Sequence, residues 1–212
     1  SKISKKENER KFVNPNHYIK VAFLGNIQSG KSHLRYRWLF PKKYNKEMYF
    51  KSGYADFEYN NVNLEGSVVR FEAWEFSLNS KYSSLPMDFH KPNCVVLTIN
   101  AKCFKEDIEF VKENYTAIKN SLSDETKFII AVTQCDFFPN EERTEISKKI
   151  SDIIKADEEL SSLHNALVVC TSAHEGYTEE LQNSIINQCI KVSKQKHVQP
   201  VIEDINKDKP TM

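Results

Sequence analysis

One stretch constrains this chain more than any other: Gly25-Asn26-Ile27-Gln28-Ser29-Gly30-Lys31-Ser32, set between the apolar run Ile19–Leu24 and a helical pattern reaching Phe40. It reads Gly-x-x-x-x-Gly-Lys-Ser in the strand-loop-helix context that makes the pattern a phosphate-binding loop. The chain has five glycines in 212 residues. Two of them fall where a backbone must wrap a polyphosphate with its N–H groups. Lys31 offers a point charge for β- and γ-phosphates, and Ser32 a hydroxyl for Mg²⁺. A helix opening at Lys31 aims its positive end at the anion.

The rest of the chain supplies a setting for such a loop. Short apolar runs recur at Val68–Phe71, Cys94–Ile99, Phe128–Val132 and Ala166–Cys170, as expected of strands buried on both faces of a mostly parallel sheet. The run Phe57–Leu64, then Glu65-Gly66, then Ser67–Phe71 reads as a hairpin. Helical spacing appears at Phe104, Ile108, Val111, Tyr115 and Ile118, again through Ile146–Ile154, and at Leu181, Ile185 and Cys189. Asn140, after Pro139, is the expected cap of the helix that follows. The expected fold is α/β: a six-stranded, mostly parallel sheet with one antiparallel hairpin strand and helices on both faces, the first strand feeding the phosphate loop.

Residues 1–15 read as a basic flexible leader, 16–193 as the folded domain, and 194–212 as a polar tail. A net charge of +1 gives no field that would gather nucleic acid. No apolar run has the length of a membrane helix. The five cysteines include no Cys-x-x-Cys pair, which points to reduced thiols and a cytoplasmic setting, with peripheral membrane contact left open.

Two motifs downstream of the loop resemble the Ras-like small GTPase domain, over about residues 17–193. Thr133-Gln134-Cys135-Asp136 follows the strand Phe128–Val132, where the family carries Asn-Lys-x-Asp. A carboxylate at Asp136 accepts the N1–H and N2 amino protons of guanine, which adenine lacks, and the Gln134 stem lies on the base face. Cys170-Thr171-Ser172-Ala173-His174 is similar to the family's Ser-Ala-Lys loop, in which the Ala173 N–H meets guanine O6. The resemblance implies GTP/GDP and Mg²⁺ as ligands. Gly25, Gln28, Ser29, Gly30, Lys31 and Ser32 would hold the phosphates, and Thr133, Gln134, Asp136, Ser172, Ala173 and His174 the base.

The two switch regions depart from the family pattern. The first switch carries a threonine on Mg²⁺, but this chain has no threonine before Thr98, so Ser52 is the substitute; Tyr44 takes the place of the aromatic shielding the base. The second switch, usually Asp-x-x-Gly-Gln, is matched to Glu72-Ala73-Trp74-Glu75-Phe76, which gives Ser32, Ser52 and Glu72 as the metal set. Phe76 then occupies the position of the water-orienting glutamine and cannot make its hydrogen bond. Ile27 adds bulk beside the γ-phosphate. No catalytic residue is therefore assigned, and hydrolysis is expected to be slow.

These features imply a monomeric signalling or trafficking switch that meets protein effectors or regulators through Tyr54, Phe57, Trp74 and Phe76, exposed aromatics being favoured interface anchors. The alternative is a pseudo-GTPase interaction module with little or no nucleotide turnover. A kinase of small substrates ranks third, since Arg35, Arg37, Arg70 and Arg143 are scattered and form no lid.

Overall fold

The computed structural model describes residues 15–51, 55–76, 78, 91–190 and 203–204. Six strands form the sheet expected from the apolar runs: β1 (His17–Gly25), β2 (Ala55–Leu64), β3 (Ser67–Phe76), β4 (Cys94–Asn100), β5 (Lys127–Thr133) and β6 (Leu167–Cys170). Four helices connect them: α1 (Lys31–Leu39), α2 (Phe104–Asn120), α3 (Asn140–Ala156) and α4 (Glu179–Cys189). A two-residue strand β7 (Glu203–Asp204), within the segment read as a tail, pairs antiparallel to β2. The order is β6-β5-β4-β1-β3-β2-β7. β1, β3, β4, β5 and β6 run parallel, and β2 is antiparallel to β3.

The hairpin turns at Glu65 and Gly66, with φ of 49° and 85°. Two positive-φ residues in a two-residue loop match the twist of the strands they join. Asn63 Oδ1 accepts the Gly66 N–H at 3.0 Å. β3 continues past the expected end at Phe71 and pairs with β2 as far as Phe76, opposite Ala55.

Strand alternation divides the core into two layers. Ala22, Leu24, Val95, Leu97 and Ile99 face the layer that α2 and α3 fill with Ile108, Val111, Ile118, Ile150 and Ile154. Ile19, Val21, Phe23, Phe71 and Val96 face the layer filled by Leu34, Trp38, Leu181 and Ile185 of α1 and α4. β4 is buried along all seven residues, which explains its unbroken apolar reading. α3 begins at Asn140 with Pro139 as its cap residue, one position earlier than expected. The expected Asn140 cap is thereby corrected: its side chain instead accepts from Arg143 Nη1 at 3.1 Å. The carboxyl ends of β1, β4, β5 and β6 open onto one edge, where ligands of open parallel sheets bind.

Candidate functional site

The loop after β1 is fastened from three sides. A side chain on Gly25 would overlap Thr98 Oγ1 and come within 2.6 Å of Ser29 Oγ, so β1 must end in glycine here. Ser29 is fully buried; its hydroxyl meets Thr98 Oγ1 at 2.7 Å and its carbonyl accepts Thr133 Oγ1 at 2.5 Å. Asn100 Nδ2 donates to the Gln28 carbonyl at 3.1 Å. The ends of β4 and β5 thus fix the loop before any ligand arrives.

Gly30, at φ 81°, turns the chain into α1. No side chain caps this helix and its first turn carries no acid, whereas α2, α3 and α4 each begin with two. The N–H groups and positive end of α1 are left for an external anion. Lys31 is 7% exposed, with Nζ 3.4 Å from the Asn26 carbonyl. Burial lowers its pKa, against the opposing pull of Glu75 and Asp107. Asp107, buried on α2, accepts the Asn100 N–H at 2.8 Å and Asn26 Nδ2 at 3.3 Å, and burial raises its carboxyl. Ile27 is 83% exposed, and its N–H donates to Asn26 Oδ1 at 2.8 Å.

The second half of the site assembles at β5 and β6. Gln134 adopts φ 60° and leads into a 3-10 turn, Cys135–Phe137. Its Nε2, like the Thr133 side chain, lies within 4 Å of where a Gly30 Cβ would stand. Asp136 Oδ1 accepts the Ser172 hydroxyl at 2.6 Å, and Ser172 Oγ in turn accepts the Glu175 N–H at 3.1 Å. The Cys135 N–H donates to the Thr171 carbonyl at 3.0 Å, joining the two loops. Ala173 is half-buried and His174 exposed beside them. Tyr44 bonds His33 Nδ1 through its hydroxyl at 2.8 Å, and Arg37 lies 5.1 Å from the centre of its ring. Burial raises the Tyr44 pKa; Arg37 lowers it and Asp136 raises it, so the ring stands within the field of Asp136. His33 packs edge-on to Phe50 and His174, and burial followed by His174 lowers its pKa.

The carboxylate that meets Ser32 is Glu75, not Glu72. Ser32 Oγ donates to Glu75 Oε1 at 2.5 Å. Residues 71, 73 and 75 of β3 face α1, so Glu72, an odd number of residues away, shares the opposite face with Trp74 and Phe76. Phe76 is likewise corrected: 1% exposed, it belongs to the core layer under α2 and cannot form part of an exposed contact surface. Registering the second-switch pattern on Glu75 gives Glu75-Phe76-Ser77-Leu78-Asn79, with Asn79 rather than Phe76 at the glutamine position. Asn79, Ser52 and Tyr54 lie outside the described residues.

Arg35, one turn beyond Lys31, was not anticipated. It is 3% exposed; Nε meets Glu75 Oε2 at 3.0 Å and Nη1 meets Glu58 Oε1 at 2.9 Å. Both Glu75 oxygens are therefore engaged. Magnesium requires oxygens at about 2.0–2.1 Å in near-octahedral array. The Ser32 hydroxyl, while donating to Glu75, keeps a lone pair for such an ion, and the buried Arg35 guanidinium compensates part of the carboxylate charge. Ser32 would supply the ion an oxygen directly, and Glu75 would hold the serine and a water of the ion's shell.

On the hairpin, Phe57 packs against Trp74 at a tilt of 34° with ring centres 4.2 Å apart, and Phe57 (42% exposed) and Tyr59 remain open to solvent. Arg70 lies over Tyr59 at 4.4 Å and over Tyr18 at 5.6 Å.

No protein-family model matches the chain. Over 160 residues it is 24% identical to the Ras-related protein RabJ of Dictyostelium discoideum; the match covers 74% of this chain and spans 57% of that relative's length. With a mostly parallel sheet, a fastened phosphate loop and the two loops carrying Asp136 and Ser172 at adjoining strand ends, the chain is similar in sequence and fold to the Ras/Rab-like small GTPases.

Proposed function

We infer that this protein binds guanine nucleotide and acts as a small-GTPase-like signalling or trafficking switch with weak hydrolysis. The observation that carries the reading is the pairing of Asp136 with Ser172 beside an α1 terminus that has no acid of its own. Lys31, the loop N–H groups and the positive end of α1 take the phosphates. The Ser172 hydroxyl orients one oxygen of Asp136, whose carboxylate accepts the two guanine protons; Ala173 offers its N–H to O6. Adenine would place its amino group where Ala173 donates, and leaves Asp136 without protons to accept. Gln134 and Tyr44 flank the base.

Slow hydrolysis rests on Ile27 at the γ-phosphate end of the loop and on Asn79, whose side chain is one methylene shorter than the family's glutamine. Effectors or regulators would meet the hairpin face of Phe57, Tyr59 and Trp74, where packed aromatics and Arg70 offer anchors. Among the described residues no helix is long and apolar enough to cross a membrane. Cytoplasmic placement, a monomeric state and peripheral membrane contact belong to this proposal.

The second reading, a pseudo-GTPase interaction module, is favoured by the Glu75–Arg35 pair, which satisfies part of the site from within. One experiment separates the two. The purified protein is denatured and released nucleotide identified by chromatography, and melting is followed with added GDP, GTP or ATP. Released guanine nucleotide and stabilisation by GDP but not ATP are expected. Purification without nucleotide and no shift with either guanine nucleotide would establish the module instead.

A further inference from the structure

Arg37 lies on the last turn of α1, where a basic group ordinarily serves the negative end of the helix. Its side chain goes elsewhere. The guanidinium lies 5.1 Å from the centre of the Tyr44 ring. On its other flank is Gly176, where a Cβ would overlap Nη2 and stand 3.1 Å from Cζ, so the close approach of Arg37 requires glycine at this position of φ 77°. Nε is buried with no hydrogen-bond partner, and among the described residues Arg37 joins no ion pair. What holds this guanidinium is contact through its flat, weakly hydrated face, a use open to arginine and not to lysine. Both flanks belong to the base site. Gly176 sits in the turn closed by two backbone bonds between Ser172 and Tyr177, at 2.9 and 3.2 Å, and the Ser172 hydroxyl donates to Asp136. Tyr44 is tied at its hydroxyl to His33, so its ring is set from two directions.

Resting on the guanine-nucleotide reading above, we propose that Arg37 is a positioning residue of the base site, its guanidinium clamping the Tyr44 ring to the turn that carries Ser172. It acts through Tyr44 rather than on the base. The clamp makes the aromatic wall and the loop that orients Asp136 a single unit, set before the base arrives. Bound nucleotide then leaves only when Tyr44 comes away from Arg37, so the clamp governs dissociation more than association.

The full chain is loaded with a fluorescent GDP analogue in excess Mg²⁺, and its release is followed after addition of unlabelled GDP. Arg37→Ala should speed release by about tenfold while the association rate stays within about twofold of the parent's. Tyr44→Ala should speed it at least as much, and adding Arg37→Ala to that variant should change nothing further, since both break one contact. Arg37→Lys, which keeps the charge without the planar fork, should recover part of the loss. Release from Arg37→Ala within about twofold of the parent, or two effects that multiply in the double variant, overturns the inference and leaves the nucleotide reading standing. A folded parent that binds no guanine nucleotide overturns both. Should Arg37→Ala not fold, Arg37→Met keeps the aliphatic stem packed and removes the charge, and the same two readings decide.

Discussion

Replacing Phe76 tests whether the second switch starts where β3 ends. If Phe76 stood at the water-orienting position, on an exposed surface, its replacement by glutamine would cost little and accelerate hydrolysis. In the structure its ring is 1% exposed, lies parallel to Trp74 at 6.0 Å, and closes the core layer shared with Ala22, Leu24 and Leu97. Deleting a buried phenyl ring to alanine costs about 3–5 kcal/mol, transfer and cavity together. At about 2–4 °C per kcal/mol for a chain of this size, Phe76→Ala should melt roughly 6–20 °C below the parent. Phe76→Gln fills part of the cavity but buries an amide, which adds about 1–3 kcal/mol if the amide finds no partner, so it should melt in the same range and show no gain in single-turnover hydrolysis. Thermal denaturation read by circular dichroism, with Phe57→Ala as a surface control, decides the matter. A Phe76→Ala protein melting within about 3 °C of the parent, or a faster Phe76→Gln enzyme, would refute the placement of Phe76 in the core.

Three further outcomes are expected. Asp136→Ala removes two charge-assisted hydrogen bonds to the base and should weaken GDP at least about 100-fold by calorimetry, and because the buried Ser172 hydroxyl loses its acceptor the free protein should also melt several degrees lower; undiminished GDP affinity would remove Asp136 from the site. Because burial and His174 lower the His33 pKa, its neutral form is favoured by the fold: the stability it contributes is complete above its ordinary pKa of 6.5 and is lost as pH falls through the lower folded value. Melting temperatures should therefore decline by a few degrees below about pH 6, and His33→Phe should flatten that decline; an unchanged slope in the variant counts against it. Cys170, half-buried, has its thiol pKa brought down to about 6 by hydrogen bonds from Cys135 and then Ser147, whereas burial raises Cys103. Iodoacetamide near neutral pH should label Cys170 before Cys103, read by peptide mass mapping, and the reverse order would contradict the assignment.

The strands of the central sheet were legible because β4 and β5 are buried on both faces and so carry unbroken apolar runs. The phosphate loop was legible because its glycines answer local demands: a Cβ at Gly25 meets Thr98, and Gly30 has positive φ. Glu75 was missed through a neglected geometric constraint. A two-residue turn at Glu65-Gly66 makes the hairpin arms equal, so a first arm reaching back to Phe57 obliges the second to reach Trp74. Ending β3 at Phe71 made the next acid, Glu72, look like the strand-end carboxylate. Carrying the alternation Val69, Phe71, Ala73, Glu75 along the α1 face would have found the right one. Arg35 left no such trace, since its partners lie 23 and 40 residues away in sequence and only the packing of α1 on the hairpin joins them.

Moving the second switch by three residues also changes why hydrolysis should be slow, and the two remaining causes can be separated. With Phe76 in the core, the obstacles proposed are Ile27 in the loop and asparagine at position 79. Asn79 shares the amide of glutamine but has a shorter reach, so its defect is one of positioning the attacking water, and Asn79→Gln should repair it. Ile27 acts by bulk, and its N–H is already held by Asn26 Oδ1 at 2.8 Å rather than offered to a phosphate. Ile27→Gly removes the bulk and lets the loop turn so that this N–H points at the anion, which benefits the ground state and the transition state alike. Ile27→Gly should therefore tighten nucleotide binding more than it accelerates cleavage, whereas Asn79→Gln should raise the single-turnover rate by about tenfold or more with little change in affinity. If Asn79→Gln leaves the rate unchanged and Ile27→Gly alone restores it, crowding at the loop governs the chemistry, and the register drawn from Glu75 has no bearing on the attacking water.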